Sequence, residues 1–309
     1  MSREVLQQVH EELSWMTSEG GSAHRNSPRA TQQTNLPLDI SGERLRFQRS
    51  LLDELLSEGE GLILKEGFAA VVVTAGPPGA GKSTHIGAMQ LADGWREIDA
   101  DEIKIRLLKS AVSDGRFDDF LTTNLADGHP IMMNELSSLV HNESVALADL
   151  MIKRCLERKE NVIIQGTLSW EGLPPRYSQM LALYDYSSLT LLDIEVEQSV
   201  ALERAFTRWS TGRIDTIAGH CEGGGRFTPI EAITSIYDSS GRYSRCNQNA
   251  VDFFNAKGVE DLDGIRLIVC DGEDPESQTE YRRVKGDYTT PIPGYLKDKD
   301  PNPVKARTP

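Results

Sequence analysis

The sequence has no hydrophobic run long enough to cross a membrane. Its longest apolar runs, such as Phe68 to Ala75, fall far short of the roughly 20 residues that a transmembrane helix needs. The first residues, MSREVLQQVHEELSWM, carry acidic side chains throughout and lack the apolar core of a secretory signal peptide. We therefore expect a cytoplasmic protein with no membrane partner.

Positive charge is in deficit along the chain. The 33 Lys and Arg residues are outnumbered by 47 Asp and Glu residues, which gives a formal net charge of −14. A protein with this charge repels nucleic acid in general, because the phosphate backbone is itself negative. We therefore expect no nucleic-acid partner.

Cysteine is also scarce, since the chain has four and no two of them form a C-x-x-C pair. Cys155 and Cys270 fall in a predicted helix and a predicted strand, where they are expected to be small core residues. His220 and Cys221, taken with Cys246, match the spacing of no zinc module, so a metal site there is disfavoured.

The composition of the 309-residue chain is typical of a soluble globular protein, with 39% hydrophobic and 26% charged residues. We predict an N-terminal helix and a flexible linker in residues 1–37, one ordered domain in residues 38–285, and a disordered tail rich in Pro and Lys in residues 286–309. The buried stripe of the N-terminal helix is predicted to contain Val5, Val9, Leu13 and Met16.

Strand-like and helix-like segments alternate through the predicted domain. The five predicted strands are residues 69–75, 96–100, 161–167, 188–196 and 265–273. Strands that alternate with helices argue for a mostly parallel sheet covered by helices on both faces.

The segment GPPGAGKST, residues 76–84, matches the complete P-loop pattern. It follows a β-branched strand and precedes a helical segment, which is the context that the motif requires. Its backbone N–H groups would surround nucleotide phosphates, Lys82 would add a positive charge, and the hydroxyl of Ser83 would bind Mg²⁺. We therefore expect ATP and Mg²⁺ as cofactors. The expected nucleotide-binding residues are Gly76, Gly79, Ala80, Gly81, Lys82, Ser83 and Thr84.

A P-loop occurs in switch GTPases, in motor ATPases and in small-molecule kinases. The first two classes usually have a further motif that this sequence lacks. The sequence has no N-K-x-D element of the kind that GTPases use to recognise guanine. The strand NVIIQGT ends in Gln165-Gly-Thr, whereas many ATPase motors have an apolar run that ends in Asp. The pattern therefore favours a small-molecule kinase.

Two aspartates follow the P-loop helix in the segment IDADEIK. Asp99 and Asp101 lie two apart at the end of a predicted strand, where side chains share a face and where parallel sheets bind ligands. One could accept the proton of an attacking hydroxyl, and the other could help to hold Mg²⁺. Asp101 could instead cap the helix that follows.

Further acidic and basic residues complete the predicted acceptor side. Asp149 lies beside the buried stripe of a predicted helix, where a carboxylate needs a partner or a cavity. Arginines on a lid could neutralise the charge of a phosphate in transfer. The candidates are Arg204, Arg208, Arg213 and Arg226, of which Arg208 and Arg213 could instead lie on a solvated helix face paired with Glu203.

Five segments, taken in order, resemble the zeta toxin family of bacterial kinases. They are GPPGAGKST, IDADEIK, HNESVALADLMIKRCLERKENVIIQGT, ALERAFTR and GRFTP, and the similarity covers roughly residues 44–274. The resemblance implies a three-layer P-loop kinase fold with an arginine-bearing lid. It also implies transfer of the γ-phosphate of ATP to the 3′-hydroxyl of the sugar of UDP-N-acetylglucosamine, and a small helical antitoxin as a partner.

The resemblance assigns roles residue by residue. Lys82 and Ser83 match the P-loop lysine and the Mg²⁺-binding hydroxyl. Asp101 matches the general base, and Thr167 matches a substrate-binding threonine. The two arginines that hold ATP phosphates correspond to Arg204 and Arg226.

The chain departs from the family on the acceptor side. Gln165 stands where an acid is expected, and Asp149 is one methylene shorter than the Glu of the best-known members. These departures leave the phosphate chemistry intact and keep other acceptors open: another sugar nucleotide, a nucleoside, a dinucleotide or an antibiotic hydroxyl. A nucleotide-binding protein without turnover is a further alternative.

Overall fold

The structure is a computed structural model that describes residues 1–33, 41–58, 70–89, 91, 94–242, 244–259 and 261–285. Its described residues divide into two compact units. Residues 1–53, 100–149 and 202–233 form the helical unit, and the rest of the described chain forms the sheet unit. The predicted start of the ordered domain at residue 38 and the predicted tail of residues 286–309 lie outside the described residues.

Six strands of the sheet unit form a single sheet in the order β2-β3-β1-β4-β5-β6. The strands are β1 (Ala70–Ala75), β2 (Trp95–Asp99), β3 (Asn161–Gln165), β4 (Ser188–Glu195), β5 (Gly264–Asp271) and β6 (Asp274–Val284). The first five are parallel to their neighbours, whereas β6 runs antiparallel to β5. The five predicted strands are confirmed, and β6 is an addition to the predicted five-stranded sheet.

The central strands are covered on both faces. In β1 every residue from Val71 to Ala75 is buried. Because successive side chains of a strand point to opposite faces, a continuous buried run requires cover on each side. The predicted α/β class, with a mostly parallel sheet between layers of helices, is confirmed.

Ten α-helices are present among the described residues, together with two 3-10 helices at Met133–Val140 and Lys257–Val259. The α-helices are α1 (Arg3–Thr17), α2 (Gly42–Ser57), α3 (Lys82–Ala88), α4 (Ala100–Ser113), α5 (Asp118–Leu121), α6 (His141–Glu157), α7 (Leu173–Leu183), α8 (Gln198–Ile217), α9 (Ile230–Thr234) and α10 (Arg245–Phe254). Within the sheet unit, α10 packs against α7 and against β1, β4 and β5.

The N-terminal helix α1 is part of the helical unit. It buries Leu6, Val9, Leu13 and Thr17. The predicted stripe was therefore right at Val9 and Leu13, but Val5 and Met16 are only half-buried. Helix α1 thus docks through a face that is turned slightly from the predicted one.

The residues after α1, whose composition predicts a flexible linker, form consecutive turns in the structure up to residue 33. The side-chain amide of Asn142 donates to the carbonyl oxygens of Arg25 and Gln33. The backbone N–H of Thr31 donates to the carbonyl of Leu139. Residues 18–33 are therefore packed into the helical unit, and a domain boundary near residue 37 stays a prediction.

Candidate active site

The predicted P-loop joins the end of β1 to the start of α3 in the sheet unit. Its three glycines, Gly76, Gly79 and Gly81, have φ of 120°, 86° and 97°. A Cβ at Gly76 would lie 2.1 Å from the carbonyl oxygen of Ile194, and a Cβ at Gly79 would lie 2.7 Å from that of Ala201. Glycine is therefore required both by the backbone conformation and by the close approach of neighbouring backbone.

Lys82 lies in the first turn of α3 and folds back over the loop. Its Nζ donates to the carbonyl oxygens of Gly76, at 2.8 Å, and Pro77, at 2.9 Å. Ala80 is buried, whereas Ser83 and Thr84 expose their hydroxyls in the same first turn. Glycines at a helix N-terminus form a cradle suited to phosphate groups, and the binding of a nucleotide by these residues stays a prediction.

The same cradle suits a magnesium ion carried by a nucleotide. Mg²⁺ keeps most of its ligands as water and phosphate oxygens and takes one or two from the protein. The exposed hydroxyl of Ser83 is a group of this chemical type, and its role as a ligand stays a prediction. No group of three or more metal-binding side chains occurs among the described residues, so this part of the chain has no all-protein metal cage.

Three predicted substrate-binding residues lie near the carboxyl edge of the sheet. Asp99 ends β2 opposite Gln165, which ends β3. The side-chain amide of Gln165 donates to the carboxylate of Glu97. Thr167 follows β3, and its carbonyl accepts from the N–H of Gly76 at 3.1 Å. The structure therefore ties the Thr167 loop directly to the first glycine of the P-loop.

Asp101 lies in the helical unit rather than on a strand. Strand β2 ends at Asp99 and α4 begins at Ala100, so Asp101 occupies the first turn of a helix. The two-residue alternation of a strand therefore does not apply to the pair Asp99 and Asp101. The alternative that placed Asp101 at a helix start gave the correct local structure.

Two cations hold the carboxylate of Asp101. Lys104 Nζ lies 2.9 Å from Oδ1, and Arg226 Nη1 forms an ion pair with Oδ2. Burial alone would raise the pKa of Asp101, but Lys104, Arg226 and the more distant Arg208 hold it well below its usual range. Asp101 is therefore ionised at neutral pH.

Two other predicted site residues lie on helices of the helical unit. Asp149 is half-buried on α6, and Arg204 is half-buried on α8. Arg208 is exposed one turn beyond Arg204. Each of these residues lies on the helix that was predicted for it. Their functional roles stay predictions.

The segment that carries Arg226 is closely packed, whereas the sequence suggested a flexible lid. Gly224 and Gly225 are buried, and a Cβ at Gly225 would lie 2.0 Å from the carbonyl oxygen of Trp209. The side-chain amide of Asn134 donates to the carbonyl of Gly224 at 2.7 Å. Glycine here permits the close packing of the segment that carries Arg226.

The residue after Arg226 is held by aromatic contacts. Phe227 is 1% exposed and packs edge-on against Trp209. The ring of His10, on α1, lies 5.0 Å from that of Phe227 and 5.2 Å from that of Trp209. Sequence reasoning missed His10, because nothing in the spacing of α1 links it to Trp209 and Phe227, which lie 199 and 217 positions later in the chain.

Arg213 is a structural residue and belongs neither to a lid nor to a solvated helix face. Its side chain is fully buried and forms ion pairs with Asp127 at 2.7 Å and Glu135 at 2.8 Å. Glu135 also accepts from the indole N–H of Trp209 at 2.8 Å. The proposed partner Glu203 pairs instead with Arg3.

The buried acids of this network respond differently to their surroundings. Burial is the largest influence on Glu135 and raises its pKa in spite of Arg213. Burial acts in the same direction on Asp127, but the hydrogen bonds from Arg213 and His129 outweigh it and lower the pKa.

Sequence reasoning also missed His141, whose pKa is influenced by the neighbouring Asp101. It begins α6, and burial, Lys104 and Arg25 lower its pKa to about 3, against a smaller opposing influence of Asp101. The ring is therefore neutral at physiological pH. Lys104 acts on both groups, since it also lowers the pKa of Asp101.

No protein-family model matches the chain. The chain is similar to the calmodulin calcium-dependent NAD kinase of Arabidopsis thaliana, with 30% identity over 122 residues. That region is 37% of this chain and 20% of the plant protein, so this chain spans about a fifth of the relative that it matches.

Solved structures support the fold. The crystal structure of AvrRxo1-ORF1:AvrRxo1-ORF2 with sulphate ions is similar, with a TM-score of 0.51, 19% identity and coverage of 82% of this chain and 72% of that chain. The crystal structure of AvrRxo1-ORF1:-ORF2 with ATP gives a TM-score of 0.50 and 18% identity, with coverage of 82% and 71%. The chain therefore shares the fold of these structures, which agrees with the predicted α/β class. No helix among the described residues is long and apolar enough to span a bilayer.

Proposed function

We propose that this protein is an ATP-dependent kinase that phosphorylates a hydroxyl group of a small nucleotide-linked sugar. The observation that carries this proposal is the P-loop, with its three left-handed glycines and Lys82 folded over the phosphate cradle. A solved structure of similar fold was determined with ATP, which supports ATP as the phosphate donor. Mg²⁺ would be held by the phosphates and Ser83, and would offset the charge on the β- and γ-phosphate oxygens.

The proposed reaction needs few protein groups. The acceptor hydroxyl oxygen forms a bond to the γ-phosphorus while the bond to the bridging oxygen of ADP breaks, and the hydroxyl proton passes to Asp101. A carboxylate of lowered pKa is a weak base, which suits a loose phosphoryl transfer in which positioning outweighs proton removal. Arg204 and Arg226 would neutralise charge on the phosphates.

UDP-N-acetylglucosamine is the first acceptor to test. The ordered motifs that resemble zeta toxins support its 3′-hydroxyl as the target, with Asp99, Asp149, Gln165 and Thr167 as substrate-binding residues. The same resemblance supports a small helical antitoxin as a partner. A cytoplasmic site of action follows from the acceptor, which is a soluble metabolite.

NAD is the second candidate acceptor, and a specific observation favours it. The curated relative that this chain resembles is an NAD kinase. Gln165 and Asp149 depart from the zeta toxin pattern at acceptor positions, while the donor loop is intact. A change of acceptor on an unchanged phosphate loop would produce this combination.

A transfer experiment with γ-labelled ATP separates these possibilities. Purified protein, Mg²⁺ and labelled ATP are incubated in parallel with UDP-N-acetylglucosamine, NAD, a nucleoside and an aminoglycoside, with Lys82→Ala as the inactive control. Label on one of the two nucleotides supports the proposal and names the acceptor. Label on the nucleoside or the aminoglycoside, label found only as free phosphate, or no label released would reject both proposed acceptors.

Toxicity is tested separately in cells. Induced expression of the wild-type chain should arrest growth if it acts as a toxin, and Lys82→Ala should not. Growth that is equally normal with both proteins would remove the toxin–antitoxin part of the proposal and leave the kinase part standing.

A further inference from the structure

Hydrogen bonds fix the first two residues of the loop after β3. The hydroxyl of Thr74 donates to the carbonyl of Gly166 and accepts from its N–H, each at 2.9 Å. The carbonyl of Thr167 then accepts from the N–H of Gly76. The loop therefore leaves the sheet in a single defined direction, directly beside the P-loop.

Leu168 turns this loop sharply. It has φ of 54°, an uncommon conformation for a residue with a side chain, and such positions concentrate at functional sites. Its side chain is 2% exposed, and its carbonyl accepts from the side-chain amide of Asn249 at 2.7 Å. With Leu168 anchored inward, Thr167 and Ser169 are half-buried, and their hydroxyls lie 2.8 Å apart.

Trp170 comes next and is 59% exposed. Its six-membered ring lies against Gly172, where a Cβ would come within 2.4 Å of Cζ2 and 2.6 Å of Cη2. A side chain at position 172 would displace the ring from this place. One side of the indole is thus supported by backbone, while a large part of its surface is open to solvent.

We infer that Trp170 is the platform on which the flat heterocyclic base of the acceptor nucleotide stacks. The inference rests on the proposed kinase function and assigns one part of its substrate site. A supported indole with an exposed surface suits stacking of a planar base, because aromatic rings attract one another through their faces. Uracil, adenine and nicotinamide share the required chemistry.

The position of Trp170 also bears on which acceptor is used. It lies three residues after Thr167, the predicted substrate-binding threonine, and we place the reacting sugar at Thr167, so the base and this sugar would bind close together. In NAD each ribose is joined directly to its base, whereas in UDP-N-acetylglucosamine a diphosphate separates the amino sugar from the uridine. The arrangement therefore favours an acceptor whose phosphorylated ribose is attached directly to the stacked base.

Three variants test the platform. Trp170→Ala removes the ring, Trp170→Phe keeps a smaller ring, and Trp15→Ala removes an indole that is 75% exposed on α1 as a matched control. The KM for the acceptor should rise about tenfold or more in Trp170→Ala, since stacking on one aromatic side chain has effects of this size. Trp170→Phe should recover most of the loss, and the KM for ATP should not change in any variant.

A binding experiment keeps the inference independent of turnover. Indole fluorescence is followed while UMP, nicotinamide mononucleotide or NAD is added without ATP. Quenching in the wild type that disappears in Trp170→Phe supports the platform. Equal quenching in both proteins, no quenching by any of the three, or an unchanged acceptor KM in Trp170→Ala would overturn it. If the wild type quenches but transfers no label, the proposed kinase function fails while the platform stands.

Discussion

Arg226 forms an ion pair with the carboxylate of Asp101 inside the helical unit. The sequence assigned these residues to opposite tasks, since one would hold ATP phosphates and the other would receive a proton. In the structure each is the other's electrostatic partner. An arginine that moves onto a phosphate would therefore loosen its hold on Asp101 and raise the pKa of that carboxyl.

Asp101→Asn should abolish phosphoryl transfer while ATP binding stays within about twofold. The amide keeps the shape of the side chain but cannot take up a proton, and loss of such a group typically costs about 10²- to 10⁴-fold in rate. The rate of transfer and the Kd for ATP are measured on the same sample. Glu102→Gln, an exposed change at the next position, serves as the control. Parallel loss of transfer and ATP binding would instead assign Asp101 to the metal or the fold.

Arg226→Ala should move the acidic limb of the kcat profile to higher pH. Arg226 lowers the pKa of Asp101, so removing it lets that pKa rise, and the base becomes protonated at a higher pH than in the wild type. Arg208→Ala should cause a smaller movement, because Arg208 is the weakest of the named cations. Profiles that coincide for wild type and Arg226→Ala would show that Asp101 is not the group that titrates.

Lys82→Ala should lower kcat by about 10²-fold or more. The ammonium group supplies positive charge to the transferring phosphate, and the loss of one such donor typically has this effect. Initial rates with saturating ATP measure it. Lys109→Ala, which removes an exposed lysine of α4, should retain full activity. A fully active Lys82→Ala protein would contradict the P-loop assignment.

Arg213→Met should destabilise the fold by about 3–5 kcal/mol, because it leaves buried Asp127 and Glu135 without their cation. The loss should be larger at pH 8 than at pH 5, since acids without a partner in a buried site have raised pKa values and lose stability as the pH rises through them. Urea unfolding at the two pH values measures this. Arg208→Met, on the exposed side of the same helix, should change stability by less than about 0.5 kcal/mol.

His141→Gln should flatten the dependence of stability on acid pH. The folded pKa of His141 is about 3, below the usual value of 6.5, so between these limits the unfolded state binds the extra proton. The free energy of unfolding therefore falls as the pH drops below about 6.5, by at most about 1.4 kcal/mol per pH unit from this group. Lys104 and Arg25 oppose its protonation and Asp101 favours it. Unfolding curves at pH 7 and pH 5 that shift equally in wild type and variant would reject this origin.

The sequence predicted those parts of the fold that depend on residues close together in the chain. The P-loop could be recognised because strand, glycines and helix follow one another within two dozen residues. The five parallel strands could be recognised because burial on two faces leaves continuous apolar runs. Strand β6 escaped notice, since an edge strand with the sequence DPESQTEYRRV pairs on one side only and carries many charges.

Residues whose role depends on distant partners could not be assigned in this way. Arg213 looked like a surface or lid arginine because its partners Asp127 and Glu135 lie 86 and 78 positions earlier in the chain. The turns of residues 18–33 looked like a linker, because glycine and serine are enriched in both tight turns and flexible segments. In each case the structure depends on contacts between residues that lie far apart in the sequence, and composition alone does not indicate such contacts.

The helical unit draws its three parts from widely separated stretches, and this has a consequence for the order in which the protein is made. Arg3 meets Glu203 across 200 positions. At roughly 5–20 residues per second a ribosome needs about 10–40 s to span that distance. During this interval the buried face of α1, with Leu6, Val9 and Leu13, has emerged while Phe206 and Trp209 of α8, which contact His10 of the same helix, are still untranslated. The nascent chain therefore exposes a helix that a chaperone can bind, and shortening the protein from its C-terminal side past residue 203 would make that exposure permanent.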